Sequence, residues 1–256
     1  MDLLDYNLGA GVRAFSTLRS SGGQGKGTYA AFNITHYCGD APENVALCRE
    51  LLCTELGIDD EHLLLPRQTH TDRVVTIDEA FYALSLDERT AAMNECDALV
   101  TKLKGVCIGV STADCIPILL YDPEAKVVAA IHAGWRGMAA RIPQRAIEAM
   151  KSLGAQPERI RAAIGPSSGP NSVEVGEAVV EAFMKEGFPR EIVLRNFTRP
   201  HIDLWAAAAY LLEESGVDLM HLLVSGVDTL TTDDSFFSAR KLGIESGRTF
   251  TGIKLD

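Results

Sequence analysis

Long apolar runs are missing from this sequence, and so are internal repeats, low-complexity tracts and linkers rich in proline and serine. No segment reaches the roughly 18 consecutive apolar residues that a membrane-spanning helix needs. The first residues, MDLLDYNLGAGVRAFSTLRS, contain no basic stretch followed by an apolar one, which is the pattern of a secretory signal. We therefore expect a cytoplasmic protein organised as a single domain over residues 1–256.

Paired cysteines are missing as well. The six cysteines form no CxxC motif and follow no regular spacing. This distribution is typical of free thiols in a reducing compartment, where most of them pack as small hydrophobic side chains. The fold must then be stabilised by its hydrophobic core, and a chain of 256 residues is long enough to bury one without disulfides.

Basic clusters are scarce, because the formal net charge is -11 at pH 7. Proteins that bind nucleic acid without sequence preference neutralise the phosphates with clustered Lys and Arg side chains, so this charge argues against that class. We expect a small-molecule substrate and neither nucleic acid nor a membrane as a partner. The sequence gives no indication of the oligomeric state.

Short apolar runs alternate with amphipathic segments along the chain. The strand-like runs lie at 74–77, 97–101, 106–112, 115–122, 126–133, 159–165 and 220–226. Apolar residues with i, i+3, i+4 spacing predict helices at 43–57, 142–154, 174–187 and 203–216. The mixture predicts an α/β or α+β fold in which central mixed sheets are covered by helices.

A cysteine and a histidine stand at corresponding ends of two neighbouring strand-like runs in STADCIPILLYDPEAKVVAAIHAGWRG, residues 111–137. The sequence Asp122-Pro123 favours a type I turn between the two runs. If Tyr121 lies opposite Lys126, then Cys115 lies opposite His132, with Cβ atoms about 4.5–5.5 Å apart on one face. That separation would let a thiolate and an imidazole bind the same metal ion.

A third candidate ligand, His70, lies in the polar stretch RQTHTDR just before the predicted strand at 74–77. Three protein ligands are typical of catalytic zinc sites, which keep a fourth position for water or substrate. Gly134 and Gly137 follow His132 and would allow the backbone to approach a ligand closely. In the alternative interpretation, Cys115 and His132 are packed side chains, with the histidine bonded to a backbone carbonyl.

The other histidines fit a metal site less well. His36 and Cys38 are close enough in sequence to chelate a metal, but their spacing is also that of one strand face. We expect the remaining three to be packing or surface residues; these are His62, His201 and His221.

Together, the ADC and HAGWRG segments resemble those of the YfiH-like proteins, also called the multicopper polyphenol oxidase or laccase-domain family, which includes bacterial purine nucleoside phosphorylases. Further similar segments are FNITHYCGDAPENV (32–45), PRQTHTDRV (66–74), CDALVT (96–101), AAIGPSSGPNSVEVG (162–176) and FFSARKLGIESGRTF (236–250). The resemblance implies an α/β/α fold like that of the cytotoxic necrotizing factor deamidases. It also implies one zinc ion bound by His70, Cys115 and His132.

The activity implied by the resemblance is phosphorolysis of adenosine, inosine, guanosine and methylthioadenosine to the base and a ribose 1-phosphate, with adenosine deamination as a further activity. The chain departs from the family at two places where many members carry cysteine. It has Ser167-Ser168 and Asn171-Ser172 after IGP, and Asp228-Thr229 near the C-terminal strand. Both departures argue against a copper oxidase, which would need more soft or imidazole ligands.

Six further residues are candidates for catalysis or substrate binding. The arginines would bind phosphate through paired N–H groups, Asp114 would act as a general base or orient a ligand, and the amides would bind sugar hydroxyls or base edges. A phenylalanine would stack on the base, although paired aromatic residues commonly pack in the core. Besides Asp114, the candidates are Asn33, Gln68, Arg136, Arg240 and Phe236, which is followed by Phe237.

Three rival functions remain open from the sequence. A copper-dependent phenol oxidase would contain copper in place of zinc. A cysteine hydrolase or deamidase would use Cys115 as a free nucleophile activated by His132. A non-enzymatic metal-binding module would need a fourth protein ligand. Three ligands with an open position favour the zinc enzyme.

Overall fold

Thirteen strands and eight α-helices make up the regular structure, and the computed structural model describes all 256 residues. The strands are β1 (Leu3–Tyr6), β2 (Val12–Thr17), β3 (Leu63–Leu64), β4 (Val74–Ile77), β5 (Ala98–Thr101), β6 (Cys107–Thr112), β7 (Ile116–Asp122), β8 (Val127–Ala133), β9 (Arg161–Ile164), β10 (Val193–Leu194), β11 (His201–Ile202), β12 (Leu222–Val224) and β13 (Thr249–Leu255). The helices are α1 (Pro42–Leu56), α2 (Glu79–Ala83), α3 (Leu86–Ala92), α4 (Trp135–Ala139), α5 (Ile142–Ser152), α6 (Glu177–Lys185), α7 (Leu204–Glu214) and α8 (Ala239–Leu242).

Two mixed sheets form the centre of the fold. The first has five strands in the order β1-β2-β13-β6-β3, and only the β3–β6 pair is parallel. The second has six strands in the order β12-β9-β7-β8-β5-β4, with parallel pairs at its two edges. Strands β10 and β11 form a separate two-stranded ribbon.

The two sheets pack face to face, and helices cover their outer faces. One apolar cluster joins side chains of both sheets, including Val110 of β6, Leu119 of β7 and Val128 of β8. A second cluster fills the space between the six-stranded sheet and helices α4 to α7, and a third lies between the five-stranded sheet and α1. Strands β7 and β8 are buried on both faces, which explains their nearly continuous apolar sequences. The prediction of central mixed sheets covered by helices is therefore confirmed, and the structure shows that the two larger sheets are stacked.

All seven predicted strands and all four predicted helices are present within a few residues of their predicted bounds. The sequence analysis missed the short strands β3, β10 and β11, the short helices, and most of the five-stranded sheet. Strands β2 and β13 contain serine, threonine and glycine at positions that the partner sheet buries. Apolar alternation is consequently weak in both strands, and their pairing depends on residues more than 200 positions apart in the chain.

The register of the β7–β8 hairpin differs from the predicted one. The sequence analysis placed Cys115 opposite His132, but the structure pairs Pro117 with His132 and Asp122 with Val127. Residues 123–126 form the loop, because Lys126 adopts a left-handed conformation with φ of 53° and leaves the ladder. A shift by two residues keeps every side chain on its face. Cys115 therefore lies diagonally across from His132 and not directly opposite.

The far end of this hairpin is fixed by the fully buried carboxylate of Asp122. It accepts hydrogen bonds from the backbone N–H groups of Glu124, Ala125 and Gln156 at 2.8, 3.0 and 2.8 Å. It also receives the guanidinium of Arg159 at 3.1 Å. Burial alone would raise the pKa of Asp122, but these donors outweigh it and lower that pKa.

None of the helices combines the length and apolar composition that a bilayer crossing requires.

We expect Asp122→Ala to lower the free energy of unfolding by roughly 2–3 kcal/mol, because it leaves buried N–H donors without an acceptor. Urea denaturation followed by circular dichroism would measure the loss. Glu124→Ala is the matched control, since it removes only the exposed carboxylate that also pairs with Arg159. Equal effects of the two substitutions would contradict this account of the hairpin.

Candidate metal centre

Three side chains converge beside the segment in which the chain crosses from β6 of one sheet to β7 of the other. His132 lies near the end of β8, Cys115 immediately precedes β7, and His70 lies in the loop before β4. Their ligand atoms lie within 4.8 Å of one another, and Cys115 Sγ is 3.6 Å from His70 Nε2. His132 is buried, Cys115 is half-buried and His70 is exposed, so the cluster is reached from solvent on the His70 side.

The strand pleat explains why His132 and Cys115 lie on the same face of the sheet. Leu119 of β7 and Val128 and Ala130 of β8 point toward the five-stranded sheet, and His132 follows them with the same parity. One member of the cluster and one residue beside it have left-handed backbone conformations, since His70 has φ of 64° and Asp114 has φ of 88°. Such left-handed residues are rare outside glycine and often mark functional sites.

A buried carboxylate that the sequence analysis did not select, Asp97, holds two of the three side chains in place. Its Oδ1 is 2.7 Å from His132 Nδ1 and accepts the backbone N–H of His70 at 3.0 Å. Its Oδ2 accepts the backbone N–H groups of Thr69 and Thr71 at 3.2 and 2.8 Å, and the Thr71 hydroxyl at 2.8 Å. Because Nδ1 of His132 donates to this carboxylate, Nε2 is the ring nitrogen that can bind a metal ion once it is deprotonated.

Electrostatic coupling favours charged forms in this cluster. Burial opposes ionisation of the Cys115 thiol, but the charge of His132 and hydrogen bonds from both imidazoles outweigh it and lower the pKa to about 6. Burial would lower the pKa of His132, whereas the neighbouring thiolate and Asp97 raise it. Burial would raise the pKa of Asp97, but the hydrogen bond and charge of His132 outweigh it and lower the pKa to about 2. A thiolate is the form of cysteine that binds metals.

The donor set and the free space both fit one metal ion. Tetrahedral coordination at zinc bond lengths puts ligand atoms roughly 3.3–3.6 Å apart, which is close to the separation of Cys115 and His70. Gly134 leaves the necessary room, because a Cβ atom there would lie 2.7 Å from His70 Cδ2 and 3.2 Å from Cys115 Sγ. This is the only group of three or more histidine, cysteine or acidic side chains with metal-binding geometry.

The cluster forms one wall of a cavity of about 500 Å³, which is large enough for a small organic ligand. The opposite walls come from β6 and from the loop between α8 and β13. Besides the three candidate ligands, the cavity is lined by Tyr37, Cys38, Gln68, Ser111, Thr112, Ala113, Ala239, Ile244, Glu245 and Arg248. Of the predicted substrate-binding residues, Gln68 is the one that lines this cavity.

The predicted amide and aromatic residues have well-defined protein contacts. The Gln68 amide donates to the Ser111 carbonyl at 2.8 Å and accepts the Ser111 N–H at 2.7 Å. Asn33 is fully buried and bonds Asp40 and the backbone N–H of Arg248 at 2.9 and 3.2 Å. Phe236 is buried and outside the cavity lining.

The predicted arginines and Asp114 lie around the centre and do not line its cavity. Arg136 stacks on Trp135, with its guanidinium carbon 4.3 Å from the ring centroid, and lines a different and larger cleft. The Arg240 guanidinium donates to the Ser172 carbonyl at 3.0 Å. The Asp114 carboxylate accepts the Thr229 hydroxyl and the Arg240 N–H, each at 2.8 Å, so it ties together the loops beside Cys115.

His36 and Cys38, the other candidate pair, diverge. Cys38 lines the cavity of the cluster, whereas His36 lines a separate one. The sequence carried one signal for the residue that was missed: Asp97 is a lone acidic residue at the start of an otherwise apolar strand. Its role becomes visible only when β5 pairs with β8, which places it beside His132.

We expect Gly134→Ala to weaken zinc binding by roughly ten- to a hundredfold, because the added methyl group displaces His70 and Cys115. Competition with a chromogenic chelator would measure the affinity. Gly176→Ala is the matched control, since a Cβ there meets no atom within 4 Å. Equal affinities of the two variants would show that the glycine is not needed for space.

In metal-free protein, we expect the alkylation rate of Cys115 by iodoacetamide to rise with a midpoint near pH 6. The thiolate is present above that pH because the folded-state pKa is lowered to about 6. Mass spectrometry of labelled peptides would give the pH profile, with Cys115→Ser as the control for labelling elsewhere. A midpoint at pH 8 or above would contradict the proposed thiolate–imidazolium pair.

Comparison with known proteins finds relatives that match nearly the whole chain. An adenosine deaminase RL5 from an unknown prokaryotic organism is 48% identical over 246 residues, which cover 95% of this chain and 94% of that protein. A purine nucleoside phosphorylase of Bacteroides thetaiotaomicron is 41% identical over 248 residues, covering 95% of this chain and 92% of that protein.

The solved structure of the YfiH protein of Bacillus licheniformis matches with a TM-score of 0.87 and 26% identity, covering 96% of this chain and 93% of that one. The family model described as multi-copper polyphenol oxidoreductase laccase matches residues 13–256. The family match and the extent of these similarities confirm the resemblance seen in the motifs, and the chain belongs to this laccase-like, YfiH-type family.

Proposed function

We propose that the chain is a zinc-dependent purine nucleoside phosphorylase that also deaminates adenosine. It would cleave adenosine, inosine, guanosine and methylthioadenosine with phosphate, giving the base and a ribose 1-phosphate. The observation that carries this proposal is a three-ligand cluster that opens into a cavity of about 500 Å³. The names of the two relatives support the substrate class. We further propose that residues 1–256 act as one domain and that the enzyme is cytoplasmic.

The donor set favours zinc over copper. One thiolate and two imidazoles with an open fourth position are typical of catalytic zinc sites. The same three ligands also occur in copper sites with a weak axial methionine, glutamine or backbone oxygen. No methionine lines this cavity, and both ends of the Gln68 amide are bonded to Ser111. A multicopper oxidase would need further metal sites, and the chain has a single group of this kind.

Phosphorolysis breaks the bond between the sugar C1′ and the base nitrogen and forms a bond from C1′ to a phosphate oxygen. The base leaves with the bonding electron pair, so its developing charge has to be stabilised. When bound, zinc supplies Lewis acidity that polarises a substrate oxygen or a water molecule. The chain would fix the position of the metal's charge, because the Asp97 carboxylate orients both the His132 ring and the backbone of His70.

The remaining predicted residues would take roles that fit their positions around the cavity. Gln68 would present its amide at the cavity wall, and Asn33 would act through the backbone of Arg248, to which it is bonded. Phe236 would support a base-binding wall. Arg136 and Arg240 would bind phosphate only after their guanidinium groups leave Trp135 and the Ser172 carbonyl, because neither lines the cavity. Asp114 would orient the segment that carries Cys115.

One observation favours a second candidate function. The lowered pKa of Cys115, caused by His132 and His70 in spite of burial, is also what a nucleophilic cysteine needs. In a cysteine hydrolase or deamidase, Cys115 would attack the substrate and no metal would be required.

The proposal is tested by measuring metal content and turnover on the same samples. Protein purified without added metals would be analysed by mass spectrometry for zinc and copper, and assayed for base release from inosine and adenosine with and without phosphate. Cys115→Ala is expected to lose both zinc and activity. Cys53→Ala is the matched control, since that buried thiol belongs to the apolar cluster beneath α1.

Near-stoichiometric zinc and phosphate-dependent base release, both lost in Cys115→Ala alone, would support the phosphorylase. Zinc without any phosphate-dependent product would contradict it. Activity in metal-free protein that is abolished by Cys115→Ala would identify a cysteine nucleophile instead.

A further inference from the structure

Nearly all polar side chains that line the cavity already have protein partners. The Tyr37 hydroxyl is 3.1 Å from both the Pro66 carbonyl and the Ser111 hydroxyl, and the Gln68 amide is bonded to Ser111 at both ends. His70, Cys115 and His132 form the metal-binding cluster. These groups leave few free contacts for the sugar or base of a substrate.

Glu245 is a solvent-exposed residue of the lining whose carboxylate makes no hydrogen bond and no ion pair, since its one recorded bond is through the backbone carbonyl. It is the single acidic residue in the cavity lining, which it shares with His70, Cys115 and His132. The nearest basic residue in sequence on this loop, Arg248, is not its partner. The Arg248 guanidinium donates instead to the carbonyls of Ile244 and Gly247, both at 2.9 Å.

The loop that carries Glu245 is fixed in position. The Thr28 hydroxyl donates to the Glu245 carbonyl at 2.7 Å, and the Gly247 N–H donates to the Thr28 carbonyl at 3.1 Å. The Ser246 hydroxyl donates to the Gly243 carbonyl at 2.7 Å. The backbone is therefore held on both sides of Glu245 while its carboxylate stays free, an arrangement suited to ligand binding.

We infer that Glu245 is a specificity-determining residue that accepts hydrogen bonds from the vicinal 2′- and 3′-hydroxyls of a ribonucleoside. This inference rests on the proposed function. A free carboxylate offers two acceptor oxygens, and acidic residues bind ribose hydroxyls in this way in dinucleotide-binding proteins.

The ribose is the part of the substrate that fits this role. A pair of adjacent donors occurs on the sugar of every ribonucleoside, whereas the base edges differ. Guanosine offers a ring N–H beside an amino group, but inosine has no amino group on its base. A carboxylate that serves all of these substrates therefore has to bind the sugar.

The test compares steady-state kinetics on inosine, guanosine and 2′-deoxyinosine in the wild type and Glu245→Gln. The glutamine keeps the shape but has one acceptor oxygen and no charge. We expect KM for inosine and guanosine to rise roughly ten- to a hundredfold, with little change in kcat, because a charge-assisted hydrogen bond is lost. The ratio of kcat/KM between inosine and 2′-deoxyinosine should fall toward one. Glu181→Gln is the control, since that exposed glutamate of α6 lies outside the cavity.

Two results would overturn the inference while leaving the proposed function intact. In the first, Glu245→Gln changes kcat/KM for inosine and for 2′-deoxyinosine by the same factor, or leaves both unchanged. In the second, the change is confined to guanosine, which would make Glu245 a reader of the base edge. If the wild type cleaves none of the nucleosides, the proposed function itself fails and this inference with it. Zinc content measured on each variant separates loss of substrate binding from loss of the metal.

Discussion

The candidate centre depends on one buried negative charge, the carboxylate of Asp97. A buried carboxylate is costly unless donors surround it, and here four N–H or O–H groups of residues 69–71 and the ring of His132 supply them. The same bonds fix the loop that carries His70 and the tautomer of His132. The donors that compensate the buried charge of Asp97 thus position His70 and His132. Cys115, which precedes β7, completes the candidate metal site.

The stacking of two sheets decides where such a centre can exist. Along most of β7 and β8 the space between the sheets is filled by apolar side chains, which exclude water and polar groups. Where these strands end, at Ile116 of β7 and Ala133 of β8, polar residues can reach both solvent and the interior. The six-stranded sheet and its loops supply the three candidate ligands, whereas β6 and the loop after α8 supply the facing wall. The candidate site at this junction is backed by the packed sheets and is accessible to solvent on the side of His70.

Several features could be predicted because they depend on short stretches of chain. The apolar runs of β5 to β9 and the helical periodicity of α1, α5, α6 and α7 are local, and so is the turn at Asp122-Pro123. The grouping of His70, Cys115 and His132 also followed from the motifs. The hairpin register was wrong by two residues because the conformation of Lys126 cannot be read from the turn sequence. The predicted grouping of Cys115 with His132 is still correct, because a register shift of two residues leaves both side chains on the same face of the sheet.

The sequence by itself determined the class of fold and the three candidate ligands, since residue type and periodicity carry this information, whereas the structure separated His36 from Cys38. Only the tertiary structure decided that Asp97 orients the ligands, that Arg136 faces a different cleft and that Glu245 shares the cavity with the metal-binding cluster. These relations join segments that lie up to about 175 residues apart in the chain. They arise from strand pairing and sheet stacking, which are set by the packing of the whole core and have no signature in any short segment.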